Sequence, residues 1–148
     1  MRGISFKRDS GCKNILWSIL NGIEIENLWW HISEDEIYDN MFESIFHNSY
    51  VNGKTFSNII KEKDYSVVFA NIKAYSSKIT PSYIETYDDF IKSECQLVIL
   101  CSDARYYEVY AKSRDIIETI KNNVNSINAC EVEYITEEND GRIIFSVG

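Results

Sequence analysis

The segment TFSNIIKEKDYSVVFA (55–70) aligns without a gap on TYDDFIKSECQLVILC (86–101), at a constant offset of 31 residues. Thr55/Thr86, Ile60/Ile91, Lys61/Lys92 and Val67/Val98 are identical, and Phe56/Tyr87, Asn58/Asp89, Ile59/Phe90, Val68/Ile99 and Phe69/Leu100 are close substitutions. Each segment opens on a threonine whose hydroxyl can cap a helix, carries apolar residues at i, i+3 and i+4, and passes at once into a branched apolar run that suits a strand. A helix with one apolar face needs a sheet beneath it, so this pattern commits the chain to helices layered on strands. The fixed period suggests an internal helix–strand duplication over 55–70 and 86–101, with its two strands expected to lie side by side and parallel.

The rest of the chain extends the same layers. RGISF (2–6) alternates as a short strand, and Ile15, Leu16, Ile19 and Leu20 recur at helical spacing after a start signal at Ser10–Gly11. IEIENLWWHI reads as a strand, while residues 33–54 read as irregular, with a helical turn around Met41–Phe46. CQLVILCSDARYYEVYAK supplies two strands that break near Ser102–Ala104, the first apolar on both faces and hence central. Ser113 opens a helix striped by Ile116, Ile117, Ile120, Val124 and Ile127. CEVEYIT and RIIFSV flank EENDG, which reads as a hairpin turning at Asp140–Gly141. The expected fold is α+β, a single mixed, mostly antiparallel sheet with helices packed on one face, and the 148 residues form a single domain, 1–148.

A formal net charge of −8 and a pI near 4.8 repel phosphate backbones and anionic headgroups, which argues against nucleic acid and membrane as partners. MRGISFKRDSGCKN lacks the apolar stretch of a signal peptide, and no apolar run reaches the roughly 18 residues of a membrane span, so a cytoplasmic protein is expected. Cys12, Cys95, Cys101 and Cys130 are scattered, without the spacing of zinc or redox motifs, and read as reduced thiols.

Function is harder to read. In LWWHISEDE (28–36) strand geometry sends Trp29 and His31 to one face and Trp30 and Ile32 to the other. Trp30 is expected to pack in the core, leaving Trp29 and His31 for recognition. Glu34, Asp35, Glu36 and Asp39 lack the alternation and turn glycine of a calcium loop, and EENDG lacks the glutamate an EF-hand would need, so no metal site is expected. A nucleophile built on Cys101, with His31 or His47 as base and Asp103 as orienting acid, has nothing in the sequence to bring its members together. No catalytic residue and no cofactor are assigned.

At RGISF, LWW, FANIKAY, IETYDDFIKSECQLVIL and YITEENDGR the chain resembles an uncharacterised family of small Bacillus and Clostridium proteins built on a domain of unknown function. The resemblance spans nearly the full length and carries no catalytic or binding residue with it. Two readings follow. The first is a non-catalytic, acidic protein-interaction module of immunity-like or regulatory type, with a basic protein as partner. The alternative is a small-molecule-binding protein or small enzyme with a pocket between sheet and helices, lined by Trp29, His31, Tyr106, Tyr107 or Tyr110. A pocket enclosing convergent polar groups favours the second, and a flat aromatic patch with an acidic rim favours the first.

Overall fold

The computed structural model describes residues 1–8, 13–78 and 83–147; Cys12 and the Ser10–Gly11 start signal lie outside them. Its centre is one sheet of seven strands: β1 (Gly3–Lys7), β2 (Trp29–Tyr38), β3 (Tyr50–Asn52), β4 (Ser66–Tyr75), β5 (Cys95–Ser102), β6 (Tyr106–Ala111) and β7 (Cys130–Ile135). The spatial order is β3-β2-β4-β5-β6-β1-β7. Every pairing among these strands is antiparallel, so the chain is α+β with no parallel component in the described sheet.

Among the described residues four α-helices cover the sheet: α1 (Ile15–Leu20), α2 (Gly53–Glu62), α3 (Tyr87–Lys92) and α4 (Arg114–Ser126). They do not all share one face. Leu16, Ile19, Phe56, Ile60, Ile117, Ile120 and Val124 of α1, α2 and α4 pack with Ile4, Trp30, Ile32, Ile72, Leu97, Ile99 and Val109 in the larger core. Phe90 of α3 packs on the opposite face, with Tyr75, Cys95, Val98, Leu100, Tyr110 and Phe145. The alternation of β5 is thus buried twice over, Leu97, Ile99 and Cys101 toward one core and Val98 and Leu100 toward the other, as its continuous apolar run requires.

Both duplicated segments keep the order helix then strand, yet the expected parallel pairing is overturned, because β4 and β5 are antiparallel neighbours. The six residues of α3 rise only about 9 Å, against about 33 Å for the ten residues of β4, so the helix is too short to carry a crossover back along the strand. Val67 follows α2 into the larger core while its counterpart Val98 follows α3 into the smaller one, so the two units sit on opposite sides of the sheet.

Local chemistry explains the helix ends. Thr86 caps α3 in a full capping box with Asp89, as the sequence suggests. For α2 the cap is Asn52, whose side chain accepts from the Thr55 amide at 2.9 Å, so the helix begins before Thr55. Ser113 caps α4. Gly53 is required by close approach, since a Cβ there would lie 2.3 Å from the Glu26 carbonyl oxygen.

Two further expectations change. Residues 33–38 are not irregular but continue β2, with a bulge between Ser33 and Glu36 at which Glu34 takes a left-handed conformation, φ 47°. The C-terminal hairpin does not form. Gly141 has no positive φ, and residues 142–147 leave β7 to run across the strands on the smaller-core face, where Phe145 finds its apolar partners. Arg142 holds Glu108 of β6 through Nη2 at 2.6 Å and Nε at 3.0 Å, and Ser146 Oγ donates to Glu34 of β2 at 2.9 Å.

Candidate functional site

The antiparallel register lines up one row of side chains across the sheet: Tyr50 of β3 opposite His31 of β2, His31 opposite Lys73 of β4, and Lys73 opposite Val98 of β5. Directly opposed residues of antiparallel strands hold their Cβ atoms about 4.5–5.5 Å apart, so the imidazole and the lysine stem start as neighbours. The row above pairs Ser33 with Asn71, and the row below pairs Trp29 with Tyr75 and Tyr75 with Cys95. The crossing C-terminal segment, with Ile144, Phe145 and Ser146, and the stretch Tyr83–Glu85 before α3 stand over these rows and enclose a pocket of about 460 Å³.

Its polar groups converge. Lys73 is only 6% exposed, and its Nζ donates to Asn71 Oδ1 at 2.6 Å. The Asn71 amide nitrogen donates in turn to Glu34 Oε1 at 2.7 Å and to the Phe145 carbonyl at 2.9 Å, so one buried side chain ties β4, β2 and the crossing segment together. The Glu34 bulge serves this arrangement, since its second carboxylate oxygen accepts from Ser146 Oγ and, at 3.2 Å, from the Val147 amide. The Phe145 amide donates to the Glu85 carbonyl at 2.7 Å, closing the rim.

Burial sets the protonation behaviour. Withdrawal from water lowers the Lys73 pKa, against the opposing influence of Cys95 and Glu34. Burial and then the charge of Lys73 lower that of His31, whose ring stacks on Tyr50 at 4.5 Å. The Tyr75 phenol is pushed well above its ordinary value by burial, and the Cys95 thiol is pushed up to about 11 for the same reason, so both stay protonated at neutral pH. Among the described residues no ion pair reaches Lys73.

A family model described as a protein of unknown function, DUF2691, matches residues 1–146. The chain belongs to that family. It is similar to the Uncharacterized protein YncE of Bacillus subtilis (strain 168), 34% identical over 154 residues that cover 99% of each chain. No solved structure matches.

Of the five residues proposed in the sequence to line a pocket, His31 is the one found in this lining. Trp29 lies on the same face one row away, half-buried, with Lys78 Nζ 5.2 Å from its ring centre. Tyr107 faces the larger core and stacks on Phe6 at 5.0 Å. Tyr110 packs on Phe145 in the smaller core and donates to Glu108 at 3.1 Å and Asp140 at 3.0 Å. Tyr106 is exposed at the start of β6. The aromatic residues therefore do not form one site. Cys101 faces the larger core, away from His31, and burial pushes its thiol up to about 11, so Cys101 and His31 do not form a pair. Among the described residues no group of three or more His, Cys, Asp and Glu side chains is placed to hold a metal ion, and no helix is long and apolar enough to cross a membrane.

Lys73 and Asn71 went unremarked in the sequence, and Glu34 was weighed there only as part of an acidic run for a metal ion. A signal was present in FANIKAY, where Asn71 and Lys73 alternate with Ile72 and Ala74 in a segment otherwise apolar enough for the middle of a sheet. Polar residues at strand spacing in such a segment mark a face that is enclosed yet polar.

Proposed function

We propose that the protein binds a small anionic molecule in the pocket over β2 and β4. The observation that carries this reading is Lys73, an amine that is 6% exposed on the wall of the cavity and bonded to one neutral amide oxygen. Glu34 favours the charge but reaches it through the Asn71 amide and is itself bonded to Ser146 and Val147, so much of the several kcal/mol that it costs to hold an ammonium out of water is left for a ligand's negative charge to offset. His31 supplies a second cation on taking up a proton, while Tyr50, Tyr75 and Phe145 offer ring surface to the ligand's carbon atoms.

Binding is then coupled to proton uptake. Both Lys73 and His31 have lowered pKa values, and an anion beside them raises those values, so affinity increases as pH falls. Titration calorimetry with small carboxylates and phosphates at pH 6 and pH 8 tests the reading. Binding that is tighter at pH 6 and at least about tenfold weaker in Lys73→Met is expected, a loss of one unpaired charge contact being worth about 1.4 kcal/mol or more. Equal affinity of the variant and the native chain would overturn it.

A second reading, recognition of a basic protein, is supported by the turn after β2, where Met41 and Phe42 are 78% and 86% exposed in a stretch that also carries Glu36, Asp39 and Glu43. Two bare apolar side chains in an acidic stretch suit a contact with a basic protein. A partner bound there should be lost on Phe42→Asp and should associate more slowly as salt rises.

A further inference from the structure

We propose that Lys73 captures a carbonyl group: its amine adds to the aldehyde or ketone carbon of a small oxo acid held in the pocket and forms an imine. The proposal rests on the anion-binding reading above and names the class of ligand.

The geometry meets three needs of that reaction. The amine must be presented to a cavity rather than locked in an ion pair, and Lys73 lines the pocket with a single neutral acceptor, Asn71 Oδ1. A proton carrier must stand beside it, and His31 is its directly opposed partner on β2. The oxygen that leaves must be met by a donor, and Tyr75 lines the same pocket two residues along the strand from Lys73. The groups that face Lys73 come from every neighbouring element: His31 and Glu34 from β2, Tyr50 from β3, Tyr75 from β4, Cys95 from β5, and Tyr83 and Glu85 from the stretch before α3. The covering residues Ile144, Phe145 and Ser146 bring no ionisable side chain.

The steps balance without any further reactant. The lone pair of the neutral amine forms a C–N bond and a proton passes from the nitrogen to the carbonyl oxygen, giving a neutral carbinolamine whose nitrogen has its lone pair again. The nitrogen lone pair then forms C=N as the C–O bond breaks and the oxygen leaves, protonated, as water. Protonated imine keeps the positive charge at the position of the ammonium, so the carboxylate of the oxo acid stays paired throughout. Burial favours the neutral amine needed for the first step.

Glyoxylate, the smallest such ligand, tests the proposal when it is incubated with the native protein at pH 7 and trapped with cyanoborohydride, the sites being mapped by peptide mass spectrometry. Lys73 should be modified at least about tenfold faster than the exposed Lys54, since the pocket holds the carbonyl beside an amine whose burial favours the neutral form. Glycolate, which has the charge but no carbonyl, should bind and slow the trapping. His31→Gln should trap more slowly even at glyoxylate concentrations that saturate the site, and Lys73→Arg should bind glycolate without any adduct at position 73. If glycolate binds and Lys73 is trapped no faster than Lys54, the imine is wrong and the anion site stands. If glycolate does not bind and Lys73 is not trapped, both readings fall.

Discussion

Lys73 sets binding against stability. Its folded pKa lies below the value of the unfolded chain, so the unfolded state holds more protons across the interval between the two, and stability rises with pH through that interval. His31 has the same sign below its ordinary value of 6.5, where acid removes stability as the unfolded chain takes up the proton first. Lys73→Met should therefore match or exceed the native stability at pH 7, by up to about 2 kcal/mol, and should flatten the rise toward alkaline pH. Urea denaturation at pH 7 and pH 9 checks both parts. The apolar anchors follow simpler rules. Trp30, 1% exposed, stacks on Phe56 at 3.9 Å and donates to the Ile25 carbonyl at 3.0 Å, so Trp30→Ala should cost about 3–5 kcal/mol. In α3 the inward residue is Phe90 rather than Ile91, which is 47% exposed. Phe90→Ala should cost about 3–5 kcal/mol and Ile91→Ala less than about 1, which denaturation of the two variants distinguishes.

At the level of elements, the C-terminal segment matters most to the pocket. Residues 142–147 have no ladder of their own, and side chains hold them instead: Glu108 on Arg142, Asn71 on the Phe145 carbonyl and Glu34 on Ser146 and Val147. Such a segment opens at lower free energy than the strands beneath it. Arg142→Ala removes the anchor to β6, and amide exchange over residues 143–147 should quicken while β5 and β6 keep their protection. Hydrogen-exchange mass spectrometry reads this directly, and unchanged exchange in 143–147 would show that Phe145 and the bonds to Asn71 and Glu34 hold the segment without Arg142. The same contacts explain the missing hairpin. A buried Phe145 between Phe90 and Tyr110 outweighs a further edge strand whose outer face would be wet.

For the molecule as a whole, the N-terminal strand is the keystone of one half of the sheet. β1 lies between β6 and β7, so strands from the two ends of the chain must meet before that half closes. Contacts so distant in sequence slow folding, because loop closure precedes their reward. The join is also close-packed, since a Cβ on Gly3 would lie 1.9 Å from the Val109 carbonyl oxygen. Gly3→Ala must therefore push β1 away from β6 and should cost about 1–3 kcal/mol, measured by thermal or chemical unfolding. A variant as stable as the native chain would mean that the two strands tolerate wider separation than their register implies.

Periodicity and caps alone settled much of this architecture: the helical stripes of α1 and α4, the Thr86 cap, the double-sided burial of β5 and the division of Trp29 from Trp30 all follow from spacings of two and of three to four residues. Those are local quantities, and a local pattern states which side chains share a face. It does not state which strand lies alongside, in what direction, or what covers the face. Antiparallel pairing of β4 with β5, the placing of α3 under the sheet and the path of residues 142–147 depend on contacts between distant segments, where burial of Phe90 and Phe145 outweighs turn preference. The pocket is a product of that same long-range register, for Lys73 meets His31 and Asn71 meets Glu34 only once β2 and β4 are paired and the last residues have crossed above them.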